Sequence, residues 1–253
     1  MTNRRDNVPF DPQYFEKLKR NGTHLSSEET FRLIHERNLW NGPDSVSGAG
    51  ASRSQTDSLQ VELPLLLKAL NVRVMLDLPC GDFGWMQEVD LPIETYIGGE
   101  LVDGLIADNR RRFGDEHHQF MSLDITRDEL PKVDLLFCRD CLVHLSFEDI
   151  LRAFDNIRGS NIPYVLTTTF PDCHRNDDIT TGDWRLLNLE VPPFNLPAPR
   201  HLINEGCTEG EGTYRDKSLG LWTLDDFVHA KSFIRPKSES DGTNVQMQGD
   251  DAI

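Results

Sequence analysis

The sequence has no long apolar run and little positive charge. Its 253 residues include 26 Lys and Arg against 42 Asp and Glu, which gives a formal net charge of −16. A chain this acidic repels phosphate backbones and anionic lipid, so we expect neither nucleic acid nor a membrane surface as a partner. The longest apolar runs, such as residues 63–67, are far too short to cross a bilayer.

Cysteine is scarce, and the first residues carry no readable secretory signal. The polar stretch Met1–Asp6 is not followed by the apolar segment that a signal peptide needs. An odd number of thiols without such a signal predicts free cysteines and a cytoplasmic protein. The five cysteines are Cys80, Cys138, Cys141, Cys173 and Cys207.

Composition and length indicate one globular domain with flanking segments. Hydrophobic residues make up 38% and charged residues 27% of the chain, which excludes globally disordered, collagen-like and fibrous classes. The length fits one sizeable domain, or one domain with an N-terminal extension. We expect a helical arm and lid loop over residues 1–57, the main domain over residues 58–235, and a disordered tail over the polar residues 236–253.

Short apolar segments alternate with helical patterns through the middle of the chain. Such alternation predicts a parallel sheet with helices on its faces. Two later apolar segments indicate an antiparallel hairpin. The predicted fold class is therefore α/β, with a Rossmann-like sheet of seven strands, mainly parallel, and a helical N-terminal arm. The expected strands are residues 72–76, 96–98, 120–123, 133–138, 164–169, 202–207 and 218–223.

Capping residues mark the predicted helices. A Ser, Asp or Pro indicates the start of a helix, and a Gly indicates its end. Helices are predicted from Asp11-Pro12, from the capping box at Ser26–Glu29, over residues 59–70 with Pro64 limiting the start, from Asp103 to Gly114, and from Ser146 to Gly159.

The turn after the first strand combines glycines with acids. Asp77 ends the strand, and Gly81, Asp82 and Gly84 follow. In an open α/β sheet, ligands bind beyond the carboxyl ends of the strands. A dinucleotide site needs three glycines and a helix N-terminus that receives a pyrophosphate, whereas two carboxylates repel phosphate and attract a cation. S-adenosylmethionine (SAM), which carries an ammonium, a sulfonium and no phosphate, fits this turn better than NAD.

The turn belongs to a set of five segments: Trp40–Gly48, Pro79–Phe83, Cys138–Leu145, Thr167–Pro171 and Asp216–Trp222. Together these segments resemble the class I SAM-dependent methyltransferases and, within them, a little-characterised group. Asp77 and Gly81 match the acid and glycine of the family's first motif, while Pro79 and Phe83 stand where glycine is usual. The similarity extends over residues 8–230 and implies a methyltransferase fold with SAM as cofactor.

The resemblance also implies roles for the ends of the strands. Glu100 matches the acid that accepts hydrogen bonds from the ribose hydroxyls, and Asp124 matches the acid that contacts the adenine amine. The plain alternatives are a surface acid for Glu100 and a cap for Asp124. The cofactor-binding residues implied in this way are Asp77, Pro79, Cys80, Gly81, Glu100, Leu101, Asp124, Ile125, Cys138 and Arg139.

The segment after the fourth strand holds the candidate catalytic residues. His144 is a candidate to take a proton from an attacking hydroxyl or amine, with holding the turn as its structural alternative. Asp140 is a candidate base, an amine-orienting acid or a cap. Arg139 can bind an anionic acceptor group or form an internal ion pair. Cys138 and Cys141 make only half of a zinc site, so we expect packing thiols and no metal.

The expected function is methyl transfer from SAM to a small polar acceptor, on oxygen or nitrogen. Three alternatives stay open: an NAD-linked oxidoreductase, a methyltransferase-like module that binds the cofactor without turnover, and a structural zinc protein. The polar insertion over residues 171–199 is a candidate acceptor contact, and the turn at Gly48–Gly50 is a candidate lid. The sequence leaves the oligomeric state open.

Overall fold

The computed structural model describes residues 8–42 and 45–228. The predicted disordered tail, residues 236–253, lies outside the described residues. So do residues 1–7 and 43–44 of the predicted arm and lid loop.

The N-terminal arm contains two helices, α1 (Tyr14–Arg20) and α2 (Ser27–Arg37). The predicted capping box of α2 is confirmed. Ser26 Oγ accepts the Glu29 N–H at 3.2 Å, and the Glu29 carboxylate accepts the Ser26 N–H at 2.8 Å. α1 begins slightly after the predicted signal, and Asp11 accepts the N–H of Gln13 instead of opening the helix itself.

Helix α3 (Arg53–Ala69) is longer than predicted and continues through Pro64. Proline in a helix interior removes a donor and crowds the preceding turn, which was the reason to expect a later start. Leu59, Leu63 and Leu67 are fully buried at helical spacing against the sheet. Their burial stabilises the helix on both sides of the proline.

The sheet confirms the predicted fold. Within the described residues it has seven strands in the order β3-β2-β1-β4-β5-β7-β6. The pairs among β1 to β5 are parallel, and β7 pairs antiparallel with both β5 and β6. The strands are β1 (Val74–Asp77), β2 (Thr95–Glu100), β3 (His118–Ser122), β4 (Leu135–Cys138), β5 (Tyr164–Thr169), β6 (His201–Asn204) and β7 (Ser218–Thr223).

Three further helices cover the sheet: α4 (Asp103–Phe113), α5 (Phe147–Ser160) and α6 (Leu224–Val228). Two predicted ends are wrong. Asp103 is the first residue of α4 and not its cap, since no side chain caps that helix. α5 passes Gly159 and ends at Ser160, because Asn161 adopts the left-handed conformation, with φ of 60°, that stops it. The predicted Ser146 cap of α5 is confirmed.

Alternating side chains divide the core into two layers. Met75 and Leu135 pack on the α3 side of the sheet, while Leu76 and Leu136 pack on the α5 side. The chain reverses its direction of travel across the sheet between β1 and β4, the neighbouring central strands. In such folds the crevice beyond this switch point is where ligands bind.

The late hairpin and the insertion depart from their predicted form. β6 ends at Asn204, so Glu205 leaves the predicted strand and enters the protein interior. The insertion over residues 171–199, all of it described, contains neither helix nor strand. It is nevertheless structural, because Leu187, Leu189 and Phe194 are fully buried in the α5-side core. Among the described residues, no helix has the length and apolar character needed to cross a membrane.

Candidate functional site

A deep cleft lies beyond the carboxyl ends of β1, β2 and β4. It contains about 1150 Å³ of space free of protein atoms, including its open mouth. The sheet supplies one wall, and the N-terminal arm supplies the opposite wall through Phe31 and Ile34 of α2 and through Trp40. The arm therefore covers one side of the cleft, a role that the sequence alone did not reveal for these three side chains.

Asp77 is a buried acid at the floor of the cleft. Its Oδ2 accepts a hydrogen bond of 2.6 Å from the Tyr96 hydroxyl. Burial raises the pKa of Asp77 from 3.8 to about 7, against the lowering effects of Tyr96 and of the charge on Arg139. A cation that binds beside this buried carboxyl group stabilises its ionised form, so the site favours a positively charged ligand.

The segment that follows β1 forms no helix. Residues 78–94, all of them described, contain only turns and a short 3₁₀ segment at Met86–Glu88. Nucleotide-binding folds use a helix at this place, whose N-terminal N–H groups receive the phosphates. Here that anion-binding element is absent, and Asp82 stands in the turn instead.

Gly81 lies at the tightest point of the turn. Its φ of +54° favours glycine, and a side chain there would overlap Ser47 Oγ of the loop above. The Gly81 carbonyl accepts from Asn109 Nδ2 at 2.7 Å, and Val46 N–H donates to Asp82 Oδ2 at 3.2 Å. The loop after residue 44 therefore rests directly on the turn, and its action as a lid stays a prediction. Pro79 and Cys80 also line the cleft.

Glu100 ends β2 inside the cleft, close to where the sequence placed it. Its Oε1 accepts the N–H groups of Leu101 (2.8 Å) and Val102 (3.3 Å), and its Oε2 accepts the N–H of Gly81 (3.2 Å). Burial raises the pKa of Glu100 although these three donors oppose the rise. Leu101 lines the same part of the cleft. The plain alternative of a surface acid is wrong, since only 7% of Glu100 is exposed.

Asp124 and Ile125 line the cleft beyond the end of β3. Asp124 Oδ1 accepts from the N–H and the hydroxyl of Thr126, at 2.9 and 2.6 Å. Its Oδ2 lies 3.3 Å from the Arg127 guanidinium. The turn-capping alternative is therefore present in the structure. Binding of adenine by the same carboxylate stays a prediction, and its place in the cleft is compatible with that role.

Cys138 does not line the cleft, although it was predicted to bind the cofactor. Side chains alternate along β4, so Cys138 points with Leu136 into the α5-side core and is 1% exposed. Cys141, three residues later, lines the cleft instead. The hydrogen bond with Cys138 and, after it, burial raise the pKa of the Cys141 thiol. All five thiols are free, and the described residues contain no group of three or more metal-ligating side chains.

Arg139 and Asp140 belong to a network of four charges in which Asp140 is partly exposed and the other three side chains are buried. Arg139 binds Glu205 Oε2 at 2.7 Å, and Lys217 Nζ binds Asp140 Oδ2 at 2.6 Å. Arg139 also lies 3.4 Å from Asp140 and donates to the Gly50 carbonyl at 2.9 Å. The internal ion pair is thus the alternative that the structure supports for Arg139. Sequence reasoning missed Glu205 and Lys217, although Lys217 lies within a segment that carried the family resemblance.

Asp140 is poorly suited to act as a base. Burial alone would raise its pKa, but the charges of Lys217 and Arg139 outweigh burial and hold the pKa at about 2. A carboxylate this stable holds a proton only weakly at neutral pH. Its main-chain N–H is fixed by Thr168 Oγ1 at 2.8 Å, and its φ is +52°. The arrangement suits a fixed negative charge at the wall of the cleft.

His144 lies in the cleft with one ring nitrogen committed. Its Nδ1 is 3.0 Å from the Asp183 carbonyl oxygen, which can only accept, so Nδ1 carries the proton and Nε2 keeps its lone pair. Trp40 stacks on the ring, with centroids 4.4 Å apart. Burial lowers the pKa of His144 to about 4, so the ring is neutral at pH 7.

The insertion contributes nothing to the lining of the cleft. None of residues 171–199 is among the lining residues. His174 and Arg175 are exposed on its surface. Asn176 Nδ2 donates to the main-chain carbonyls of Asn188 and Pro192. The insertion is therefore not an acceptor contact in this structure, and its contacts to His144 come from behind the cleft.

Solved structures with a similar fold include several methyltransferases. An N-methyltransferase, NodS from Bradyrhizobium japonicum WM9, has 14% identity over 67% of this chain and 93% of its own, with a TM-score of 0.49. Human N-acetylserotonin methyltransferase in complex with SAM has 12% identity over 89% of this chain and 60% of its own, with a TM-score of 0.48.

A third similar structure is magnesium protoporphyrin IX methyltransferase from Synechocystis PCC 6803 with bound SAH. It has 14% identity and a TM-score of 0.40, and the match spans 49% of this chain and only 59% of that protein. No protein-family model matches the sequence, and no curated protein matches it. The similarity to these solved structures is one of fold alone.

Proposed function

We propose that this protein is a SAM-dependent methyltransferase that acts on an oxygen or nitrogen atom of a small polar acceptor. One observation carries the proposal above the others. Asp77, Glu100 and Asp124 lie at the carboxyl ends of three adjacent strands and line one cleft, while residues 78–94 provide no α-helix N-terminus for a phosphate. Such a site selects a nucleoside that carries positive charge and no phosphate.

The residues present fit SAM. Glu100 and Asp124 would hold the ribose and adenine, and the turn at Asp77 and Gly81 would receive the charged amino-acid part. The raised pKa of Asp77 supports this assignment, because a bound cation removes the cost of ionising a buried acid. When bound, SAM supplies a methyl group on a positively charged sulfur that leaves as a neutral thioether.

The arm restricts the acceptor to a small molecule. Phe31, Ile34 and Trp40 form a wall of apolar surface opposite the acids, and the loop at Val46 and Ser47 covers the turn. Closure of this kind excludes water and orients the two reactants. The net charge of −16 and the lack of an α-helix N-terminus within the described residues 78–94 support an acceptor other than nucleic acid. A cytoplasmic location is part of the proposal and is supported by the five free thiols.

His144 is the proposed proton acceptor. Its Nε2 lone pair is available in the cleft, whereas the charge of Asp140 is already balanced by Lys217. With a pKa of about 4, His144 can take a proton only from a strong acid. A hydroxyl becomes such an acid as its oxygen is methylated, while an alkyl ammonium, with a pKa of about 10.4 for a Lys-like amine, keeps its proton. The site therefore favours a hydroxyl acceptor.

A cofactor-binding module without turnover is the second candidate. The observation that favours it is the weak basicity of both candidate bases, His144 and Asp140. The two candidates differ in one measurable product, because only an enzyme releases the demethylated cofactor together with a methylated acceptor.

Calorimetry with SAM, SAH and NAD tests the binding step. We expect micromolar affinity for SAM and SAH and no binding of NAD. Incubation with SAM and a metabolite extract, followed by mass spectrometry, then tests turnover. Tight NAD binding without a SAM signal would reject the proposal. SAM binding without any methylated product across a broad extract would favour the binding module.

A further inference from the structure

The insertion joins the N-terminal arm to the back of His144. Asp183 lies at the junction and uses its side chain and its main chain in opposite directions. Its carboxylate oxygens accept the N–H groups of Phe15 (2.7 Å) and Glu16 (3.0 Å), in the first turn of α1. Its main-chain carbonyl accepts the Nδ1 proton of His144 at 3.0 Å.

Neighbouring residues of the insertion hold the His144 turn in place. The Arg185 guanidinium donates to the carbonyls of Leu142, Val143 and Leu145, at 2.8 to 3.0 Å. The Gly182 N–H donates to the His144 carbonyl at 2.8 Å. The imidazole is therefore fixed through its ring nitrogen and through the backbone around it, all from one short segment.

The same segment holds the arm by further contacts. Thr180 Oγ1 donates to Glu16 Oε2 at 2.6 Å, and the Trp184 N–H donates to the Pro12 carbonyl at 3.3 Å. On the cleft side, Trp40 at the end of the arm stacks on the His144 ring. His144 thus lies between two features that depend on the arm, the Trp40 ring and the Asp183 carbonyl.

We propose that Asp183 is a positioning residue that couples docking of the N-terminal arm to the orientation of His144. When α1 is docked, Asp183 is held at both ends, and its carbonyl fixes the Nδ1-protonated form of the ring. When α1 is released, the carbonyl loses its fixed place and the proton distributes over both nitrogens. The catalytic meaning of this coupling rests on the proposed function, but the coupling itself is a property of the chain without acceptor or cofactor.

Nuclear magnetic resonance of the uniformly ¹⁵N-labelled full chain tests the coupling at pH 7, because both the histidine ring nitrogens and the main-chain amides then carry the label. In the wild type we expect His144 to show one protonated nitrogen, Nδ1. In Asp183→Ala, we expect the amide exchange of Phe15 and Glu16 to accelerate at least about tenfold and the His144 nitrogen shifts to move towards a mixture of both forms. Asp183→Asn, which keeps one acceptor for α1, is expected to lie between the two.

Asp226→Ala is the matched control. Its carboxylate also accepts a main-chain N–H at the start of a helix, that of Thr223 at 2.8 Å, and pairs with Arg200. We expect this variant to leave the His144 shifts and the α1 amides unchanged. Faster exchange at α1 in Asp183→Ala with unchanged His144 shifts would overturn the coupling. If Asp183→Ala does not fold, the same comparison is made with Asp183→Asn.

The outcome is separable from that for the proposed function. Coupling observed in a protein that forms no methylated product would refute the enzyme assignment and keep the coupling. Turnover by the wild type, together with an unchanged His144 tautomer in both Asp183 variants, would refute the coupling and keep the enzyme assignment.

Discussion

Glu100 serves the fold and the cleft at the same time. Its two oxygens hold three main-chain N–H groups from the turn after β1 and from its own strand end. Replacement by alanine would remove all three acceptors and disturb the turn together with any ligand contact. Amide substitutions keep the side-chain shape and one acceptor oxygen while they remove the charge, so they are more informative than alanine at this position and at Asp124.

Glu100→Gln and Asp124→Asn are expected to weaken SAM binding by about tenfold or more each. The reason is the loss of a charge-assisted hydrogen bond, worth roughly 1.5–3 kcal/mol. Calorimetry measures the change, and thermal unfolding verifies the fold. Asp103→Asn, at an exposed acid that begins α4, is the matched control and should bind like the wild type. Wild-type affinity in both test variants would exclude these two acids from the cofactor site.

His144→Gln is expected to lower turnover by about 10²-fold or more, the low end for a positioned base, while SAM affinity stays unchanged. The pKa of about 4 adds a second expectation, because the ring of the wild type is already neutral above pH 5. Turnover at saturating SAM should therefore stay flat from pH 6 to 8. A loss of stability with normal turnover per folded molecule would assign His144 a structural role only.

SAM affinity is expected to rise with pH up to about pH 7 and then to level off. Asp77 has a pKa of about 7 in the free protein, so below pH 7 it is mostly protonated and a cation must displace that proton. Affinity then changes by up to about tenfold per pH unit below pH 7. Calorimetry at pH 5.5, 6.5, 7.5 and 8.5 measures the trend.

Asp77→Asn is the control for this pH dependence. The amide can still accept the Tyr96 hydroxyl but does not titrate, so SAM affinity should be weaker and nearly constant with pH. A variant that keeps the full wild-type pH dependence would place the titrating group elsewhere in the cleft, for example at Glu100, whose pKa burial also raises.

At the scale of single elements, α3 shows how packing overrides local preference. Pro64 lies within the helix and leaves the main chain one hydrogen bond short. Buried leucines before Pro64 (Leu59, Leu63) and after it (Leu67) hold the helix against the sheet in spite of this cost. The prediction of a later start rested on the local effect of proline. In the structure, burial of the apolar face stabilises the helix on both sides of Pro64.

Pro64→Ala is expected to stabilise the protein by about 1–3 kcal/mol, since proline costs about 3 kcal/mol relative to alanine in a helix interior. Urea unfolding followed by circular dichroism measures the change. Glu62→Ala, at an exposed position of the same helix, is the control and should change stability by less than about 0.5 kcal/mol. If Pro64→Ala is less stable than the wild type, packing of the proline ring contributes more to stability than the missing main-chain hydrogen bond costs.

At the scale of the whole molecule, the surplus of negative charge opposes compaction. The net charge of −16 at pH 7 makes the folded chain repel itself, and added salt screens this repulsion. The network of Arg139, Asp140, Glu205 and Lys217 is neutral in sum, and three of its four side chains are buried, so its stability should respond little to salt. Salt should therefore act through the surface charges alone.

Raising NaCl from about 0.05 to 0.5 M, which shortens the screening length to a few ångström, is expected to raise Tm at pH 8. The same salt step near pH 4.8, the isoelectric point of the sequence, should have little effect. Differential scanning calorimetry at the two pH values makes the comparison. A Tm at pH 8 that is unchanged or lower in high salt would show that repulsion does not limit stability.

The order of the elements and the acids at the strand ends followed from the sequence by itself. Alternating apolar segments with caps and glycines act within a few residues, so they predicted the α/β sheet, its late hairpin and the places of Asp77, Glu100 and Asp124. The resemblance to methyltransferases added the cofactor and a role for each of these acids.

Only the tertiary structure decided which distant groups meet. Arg139 pairs with Glu205 because β6 ends early and turns its next residue inward, and the direction of Cys138 depends on the exact bounds of β4. His144 acquires its tautomer from Asp183 and its ring contact from Trp40, residues far apart along the chain. Local patterns specify which face of an element is apolar, but they do not specify which charges or rings packing brings together across it.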